Sequence, residues 1–314
     1  MPSWNDLLQE LQRAGNPHDV TRRRYLAELS ALTGRNTIVY YSGWLQKPPF
    51  YEQDAEPSTV NDQDKSGFMT TIHGMERTKG LDLILHTPGG DLAATESLVS
   101  YLRSMFGTDI RAIVPQLAMS AGTMIACACR EIIMGLHSSI GPIDPQIGGV
   151  PAHGIIREFQ EAADQIKADP AKIPVWQPII AKYHPTLIGE SQNAIKLAYD
   201  IVYEWLSTGM FAGKTKPGPK ARASRVMKDL ASHELTLTHS RHIGYHHAKA
   251  IGLNVSALEA DDKFQDAVLT VHHLCEQTLA RTAAVKLIEN QDAVTFAQNV
   301  SVQMAVAPVQ PAPA

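Results

Sequence analysis

A single serine, Ser120, lies in the stretch QLAMSAGTMIACACREIIMG, where an apolar run gives way to small residues. The preceding segment IRAIVP is apolar and β-branched, which is typical of a buried strand. The following segment AGTMIACA has little bulk and predicts a helix against which another element packs closely. Serine is a favoured N-cap, so Ser120 could simply accept a backbone hydrogen bond at the helix start. Alternatively it could be a nucleophile, because partial positive charge at a helix N-terminus favours a developing anion.

The second chemical signal is the sequence HTPGGDL, from His86 to Leu92. A predicted strand ends here, Pro88 fixes the turn, and two glycines lead into a helix. Glycines allow positive φ and let backbone N–H groups approach a ligand with no Cβ in the way. An ordinary strand-to-helix turn would have the same composition. A phosphate loop is disfavoured, because the segment has neither the Walker spacing nor GxGxxG.

The two turns follow parallel strands in consecutive βα units, and such strands place their carboxyl-terminal turns side by side. The sequence PGG and Ser120 are therefore expected to face one crevice. Acyl transfer needs a nucleophile with backbone donors about 3 Å from the developing oxyanion. We expect the N–H groups of Gly90 and Ala121 to be these donors, with Gly89 shaping the turn.

The elements that position these residues follow a regular order from Phe68 onward. Strands LDLILH, DIRAIVP and EIIMG alternate with helices, which predicts right-handed βαβ units in a mostly parallel sheet, and so an α/β fold. Before them we expect two helices, over 3–15 and 18–33, and a strand from Thr37 to Tyr41. A long surface loop rich in Pro, Asp and Gln follows that strand.

Composition divides the chain into three parts. Residues 1–34 are expected to form N-terminal helices, and 35–288 the main domain, with a helical elaboration over about 153–232. Residues 289–314, which are rich in Ala, Pro and Val toward their end, are expected to be a disordered tail. The basic run GKTKPGPKARASRVMK within the elaboration is expected to be a solvated loop that could cover a neighbouring site.

The overall composition excludes several classes of protein. The 314 residues carry a net charge of −4, which gives no general attraction to nucleic acid or to anionic membranes. No apolar run approaches the roughly 20 residues that span a bilayer, and the N-terminal sequence lacks a signal-peptide core. The three cysteines, Cys127, Cys129 and Cys275, make no disulfide framework and are expected to be reduced. We therefore expect a cytoplasmic protein with no nucleic-acid partner and no membrane span.

The chain resembles the Clp protease and signal peptide peptidase A superfamily in three segments, HTPGGDLAATESL, AMSAGTMIA and SSIGPIDPQ. It is most similar to the serine dehydrogenase proteinase family, through LTGRNTIVYYSGWL, AKYHPTLIGESQNAIKLAYDIVYEWL and HSRHIGYHHAKAIGLNV. This resemblance implies the crotonase-type ββα-superhelix fold, with extra helices at the N-terminus and after the core. It also implies a serine peptidase in which Ser120 matches the nucleophile and the PGG glycines match the oxyanion turn. Ring-like or stacked homo-oligomers and a peptide or protein substrate are implied as well.

The sequence identifies the general base less directly. Clp proteases have a histidine, followed by Gln-Pro, at the place where this chain has Asp144 and Pro145. A Clp-type Ser-His-Asp triad is therefore not expected, and Asp144 is assigned to a supporting turn or to orienting a catalytic group. Signal peptide peptidases instead pair their serine with a downstream lysine, which can act as a base if burial lowers its pKa.

Lys182 is our candidate for this base. It lies in WQPIIAKYHP, after an apolar stretch and before a proline, a setting that is expected to desolvate the amine. Lys172 is the second candidate, because its distance from Ser120 along the chain matches some signal peptide peptidases. The predicted activity is that of a serine endopeptidase with a Ser-Lys dyad.

No cofactor or metal is expected. His242 and His246 have a spacing that can bind metal on a helix, but no nearby Cys, Asp or Glu completes a ligand set. Two alternatives to a peptidase remain at this point. One is a catalytically silent oligomeric scaffold of the same fold, in which Ser120 is only a cap, and the other is a crotonase-type enzyme that acts on acyl-CoA.

Overall fold

Seven strands form the central sheet of the computed structural model, which describes residues 18–231 and 241–300. Small sheets are made by five further strands. In chain order, the twelve strands are β1 (Asn36–Ser42), β2 (Leu81–His86), β3 (Ile110–Val114), β4 (Leu117–Ala118), β5 (Glu131–Met134), β6 (Ser139–Ile140), β7 (Gln146–Ile147), β8 (Val150–Pro151), β9 (Ile243–Gly244), β10 (Val255–Ala257), β11 (Ala284–Asn290) and β12 (Thr295–Asn299).

The order of strands in the central sheet is β10-β5-β3-β2-β1-β11-β12. Strands β10, β5, β3, β2 and β1 are parallel to one another, whereas β11 and β12 extend the sheet with antiparallel pairing. Every residue of β1 and β2 is buried, as expected for parallel strands covered on both faces. The predicted α/β fold with a mostly parallel sheet is confirmed.

Helices cover both faces of this sheet. The eleven α-helices of the described residues are α1 (His18–Thr33), α2 (Pro48–Gln53), α3 (Asp62–Ile72), α4 (Leu92–Phe106), α5 (Ala121–Cys127), α6 (Ala152–Ala168), α7 (Ile173–Ile180), α8 (Leu187–Trp205), α9 (Pro219–Leu230), α10 (Tyr245–Ile251) and α11 (Asp262–Arg281). Helices α3, α4 and α5 pack on one face in the larger hydrophobic core. Helices α1 and α11 pack on the other face around a second core.

Helices α6 to α8 form an outlying unit, which we call the helical hairpin (residues 152–205). Helix α6 packs against α8, and only the C-terminal part of α8 joins the larger core, through Ile201, Val202 and Trp205. Helix α7 connects the two and has no buried residue, although its sequence IPVWQPII is strongly apolar. The hairpin therefore presents apolar side chains to its surroundings.

Two expectations about chain organisation need correction. The expectation that residues 289–314 are disordered is wrong for the start of this segment, since β12 pairs with β11 and Phe296 packs against the larger core. The basic run expected to be a loop is helical from Pro219 onward, because α9 buries Val226, Met227 and Leu230. The expected helix over 3–15 and the end of the tail, 301–314, lie outside the described residues.

Candidate active site

The turns after β2 and β3 are joined by backbone hydrogen bonds. The Thr87 N–H donates to the Leu117 carbonyl (3.1 Å), and the Met119 N–H donates to the Thr87 carbonyl (3.0 Å). These bonds fix the segment before Ser120 to the strand that leads into PGG. The sequence-based expectation that the two turns face one crevice is confirmed.

Gly89 stands directly against Ser120. Its φ is +108°, and a Cβ built on it would lie only 2.6 Å from the Ser120 Cβ and 3.0 Å from the Met119 carbonyl oxygen. Both the backbone conformation and the close approach therefore require glycine. This contact brings the PGG turn into van der Waals range of the serine.

Ser120 has a strained backbone, with φ 49° and ψ −113° at the first position before α5. A positive φ is uncommon for a residue with a side chain and persists only where surrounding structure holds it. A strand-to-helix turn of this kind exposes a nucleophilic serine in α/β-hydrolases. Although Ser120 occupies the N-cap position, its side chain makes no capping hydrogen bond. The structure thus does not support a simple capping role.

A second pair of hydrogen bonds braces the turn that holds Ser120. The Thr123 hydroxyl donates to the Ala118 carbonyl and accepts from the Gly141 N–H, both at 2.8 Å. Thr123 is fully buried. Its hydroxyl therefore links the strand before the serine to the segment that leads to Asp144.

Gly90 lies against Val60, a residue of the long loop after β1. The Val60 N–H donates to the Gly89 carbonyl, and the Val60 carbonyl accepts from the Asp91 N–H, both at 2.8 Å. In a parallel bridge of this kind the residue between the two bonded neighbours directs its own N–H to the opposite side. Among the described residues, the N–H groups of Gly90 and Ala121 donate no hydrogen bond within the chain. Both are therefore available to a bound group.

The two turns open into a cleft of ≈ 350 Å³. Ser120, Ala121, Gly89 and Gly90 form part of its wall. The other lining residues are mostly apolar or small, with two carboxylates among them: Tyr51, Thr59, Pro88, Asp91, Leu92, Met124, Ile143, Asp144, Pro145, Gln146, Ala194 and Ala198.

The two carboxylates in the cleft, Asp91 and Asp144, differ in their exposure to solvent. The Asp91 side chain caps α4, where it accepts a hydrogen bond of 2.7 Å from the Ala94 N–H. Asp144 is almost completely buried, with 2% of its surface exposed, and it lines the cleft. The structure thus brings Asp144 to the same cleft as Ser120.

Both candidate lysines are exposed in the structure. Lys182 is exposed in the segment after α7, and Lys172 is exposed before it. The apolar residues expected to desolvate the amine, Trp176, Ile179 and Ile180, are themselves only partly buried. The expected burial of Lys182 within its own chain is therefore wrong. Among the described residues that line the cleft there is no lysine or histidine.

Sequence reasoning missed the part of the cleft that comes from the long loop after β1. Tyr51 and Thr59 line the cleft, and Val60 is fully buried against Gly90. A one-residue bridge leaves no periodic pattern in the sequence. The isolated apolar residue between polar neighbours in STVND is the one available signal.

A cluster of buried and half-buried rings lies next to the same turn, on the face of the sheet that the second core covers. His86, the last residue of β2, packs between the rings of Trp44 and Tyr41, with centroids 4.4 and 5.2 Å away. Burial lowers the pKa of His86 to about 3. The Tyr41 hydroxyl lies 3.0 Å from His272 Nδ1, and burial raises the pKa of the neighbouring Glu276 carboxyl to about 7. At neutral pH this cluster holds His86 uncharged.

Over 18–231 and 241–300, no three His, Cys, Asp or Glu side chains gather in a way that could hold a metal ion. In the same part of the chain, no helix has both the length and the apolar character that crossing a membrane requires.

Comparison with known proteins places this site in context. The family described as ClpP-like SDH-type serine proteinase matches residues 58–299, which include both turns and the cleft. Uncharacterized protein MJ0137 of Methanocaldococcus jannaschii is 32% identical over 227 residues, covering 72% of this chain and 69% of the relative. Uncharacterized protein MJ1495 of the same organism is 31% identical over 194 residues, covering 62% of this chain and 58% of the relative.

Proposed function

The chain belongs to the ClpP-like SDH-type serine proteinase family, and from this premise we propose that it hydrolyses peptide bonds through an acyl-enzyme formed on Ser120. One observation carries the proposal. The strained Ser120 stands against the PGG turn in a cleft that Gly90 and Ala121 also line, and the backbone N–H groups of these two residues have no partner among the described residues. This is the arrangement that acyl transfer to a serine needs.

The proposed reaction has two halves. The Ser120 Oγ attacks the carbonyl carbon of the scissile peptide bond as a base takes its proton. The carbonyl oxygen becomes an oxyanion and accepts hydrogen bonds from the Gly90 and Ala121 N–H groups. The base then passes the proton to the leaving amine, and the C–N bond breaks to leave an ester on Ser120. Water attacks that ester by the same route and restores the free serine.

The base we propose is Lys182, with Lys172 as the alternative. Because both amines are exposed outside the cleft of their own chain, this mechanism requires a second copy to present one of them to Ser120. The helical hairpin that carries both exposes Ile173, Val175 and other apolar side chains, which supports association with another copy. Burying an amine in such an interface disfavours its charged form, as base function requires.

The lining of the cleft supports a polypeptide substrate with an apolar or small side chain beside the scissile bond. Met124, Ile143 and the small residues Ala194 and Ala198 of α8 surround the space next to Ser120. Apolar contacts of this kind select a side chain by size, and each methylene contributes about 1 kcal/mol or more to that selection.

Labelling with a fluorophosphonate probe tests the proposal. The probe reacts only with an activated serine, so wild-type protein is expected to carry one adduct, located on Ser120 by mass spectrometry of its peptides. Ser120→Ala is expected to lose the adduct. Ser224→Ala, at an exposed serine of α9, is the matched control and is expected to keep it. Absence of labelling in the wild type, or an adduct that persists in Ser120→Ala, would overturn the proposal.

A further inference from the structure

A buried ion pair lies behind the oxyanion turn, away from the cleft. Lys286 of β11 and Asp64 of α3 approach to 2.7 Å between Nζ and Oδ1, and neither side chain is exposed to any extent. The Tyr40 hydroxyl of β1 donates to the second Asp64 oxygen, Oδ2, at 2.7 Å. Three elements, a helix and two neighbouring strands, thus meet at one pair of charges.

The pair also holds the backbone on both sides of Val60. Lys286 Nζ donates to the Thr59 carbonyl at 2.6 Å, and Asp64 Oδ2 accepts from the Asn61 N–H at 3.0 Å. The residue before Val60 and the residue after it are therefore each tied to one member of the ion pair. Val60 itself is fully buried.

Val60 in turn sets the orientation of Gly90. Its N–H and carbonyl bond Gly89 and Asp91, which leaves the Gly90 N–H directed away from Val60. A Cβ on Gly90 would lie 2.3 Å from both the Val60 nitrogen and the Val60 oxygen, so the two backbones are packed too closely for any side-chain atom to fit between them. A displacement of Val60 must therefore move Gly90.

Stability alone gives a weak reason for charges at this place. Replacing a buried ion pair by apolar side chains of similar volume is often neutral or stabilising, because desolvation of the charges offsets their attraction. Directed hydrogen bonds, in contrast, fix positions in a way that apolar contacts do not. The geometry of this pair suits the second purpose, since its hydrogen bonds reach the two peptide groups beside Val60.

We propose that Lys286 and Asp64 are positioning residues that hold the Gly90 N–H in the oxyanion hole through Thr59, Val60 and Asn61. The inference rests on the proposed function, because it assigns a task only if an oxyanion forms beside Ser120. Neither side chain touches the substrate. Their removal is expected to slow the chemical step and to leave binding of the substrate unchanged.

The test compares two double variants, each of which replaces a buried carboxylate by leucine and its cationic partner by methionine. Asp64→Leu with Lys286→Met removes the positioning pair. Arg22→Met with Glu289→Leu removes the other buried pair on β11, which joins the strand to α1 at 2.6 Å and contacts neither Thr59 nor Asn61. The fluorophosphonate probe is used at several concentrations, so that the maximal rate of inactivation is separated from the half-saturating concentration. Thermal unfolding of each variant is recorded in parallel.

The first double variant is expected to lose on the order of 10²-fold in maximal inactivation rate, as a small misplacement of a reacting group does, with an unchanged half-saturating concentration. The control is expected to keep the wild-type rate even if its melting temperature falls. Equal rates in the two double variants, or a change confined to the half-saturating concentration, would overturn the inference. A wild type that is not labelled at all would instead overturn the proposed function.

A milder pair of variants covers the case in which the first double variant does not fold. Tyr40→Phe removes one hydrogen bond to Asp64, and Tyr41→Phe removes the hydrogen bond to His272 on the opposite face of the same strand. The inactivation rate of Tyr40→Phe is expected to fall, and that of Tyr41→Phe to match the wild type. Equal rates in these two variants would also contradict the inference.

Discussion

Ser120 and Gly89 depend on each other at the level of single residues. The serine adopts a positive φ that its side chain disfavours, and the glycine supplies the space that this conformation needs. The pair shows why the short sequences PGG and SAG carry so much information. Each of the two sequences contains a residue, Gly89 or Ser120, whose conformation depends on its contact with the other turn.

Gly89→Ala is expected to abolish labelling of Ser120 by the fluorophosphonate. The new Cβ would lie 2.6 Å from the Ser120 Cβ, and the backbone at φ +108° would be strained by about 1–3 kcal/mol. Gly34→Ala is the matched control, because Gly34 also has a positive φ (+66°) but no atom within 4 Å of the added Cβ. We expect both variants to lose stability and only Gly89→Ala to lose labelling. Retained labelling in Gly89→Ala would contradict the described contact.

His86→Phe is expected to make the protein less sensitive to acid. Burial lowers the pKa of His86 to about 3 from 6.5, so the unfolded chain takes up a proton before the folded chain does. Stability due to the neutral ring is therefore present above pH 6.5 and is lost as the pH falls toward 3. At pH 5 the loss amounts to about 2 kcal/mol.

Thermal unfolding at pH 7 and pH 5 measures this effect. The wild type is expected to lose more stability between these pH values than His86→Phe, while the exposed His73→Phe control is expected to follow the wild type. Wild type and His86→Phe have all their other titratable groups in common. An identical loss in wild type and His86→Phe would show that His86 is not buried in its neutral form.

At the level of elements, the sequence was most informative where a strand leads directly into a helix. Strands β2, β3 and β5 and the helices after β2 and β3 could be predicted because a strand buried on both faces leaves a continuous apolar run. Strand β12 could not, since its residues are only half-buried and lie at the edge of the sheet. The contact of Val60 with Gly90 could not be predicted either, because a single bridging residue produces no alternating hydrophobic pattern in the sequence.

The base illustrates the opposite limit of sequence reasoning. An apolar helix such as α7 is buried only if another element covers it, and no element in the described part of this chain buries a residue of α7. Burial is a property of the tertiary or quaternary arrangement, so WQPIIAKYHP could not reveal whether Lys182 is desolvated. The nucleophile needed no such information, because its setting is formed by adjacent residues and one neighbouring turn.

Helix α8 offers a test of the cleft as the substrate site. Ala194 lines the cleft and is partly exposed, so Ala194→Phe is expected to fill space that a substrate side chain needs. We expect a raised KM for peptides with large apolar side chains and little change in thermal stability. Gln192→Phe, at an exposed position on the same helix outside the cleft, is the control. Unchanged KM values in Ala194→Phe would place the substrate elsewhere.

At the scale of the whole molecule, the proposed mechanism makes activity a property of an assembly. Ser120 and the proposed base occupy different regions of the surface of one chain, and the helical hairpin exposes the apolar side chains that would join copies. Light scattering is accordingly expected to give a mass above that of one 34.3 kDa chain. Specific interfaces bury on the order of 1,200–2,000 Å².

Mixing of inactive variants tests where the base comes from. Ser120→Ala and Lys182→Ala are each expected to be inactive alone, whereas a mixed assembly, made by unfolding and refolding the two together, is expected to regain part of the activity. Ser120→Ala mixed with Lys172→Ala serves the alternative assignment. Activity that Lys182→Ala and Lys172→Ala each retain in full would remove the Ser-Lys mechanism.

The most direct measurement of the central claim is peptide-bond cleavage by the full chain with and without its nucleophile. Wild-type protein and Ser120→Ala are each incubated with an unfolded protein, and new N-termini are identified by mass spectrometry, while thermal unfolding and light scattering confirm equal folding and assembly. The account predicts cleavage by the wild type and none above background by Ser120→Ala. Equal cleavage by the two proteins, or no cleavage by an assembled wild type, would contradict it.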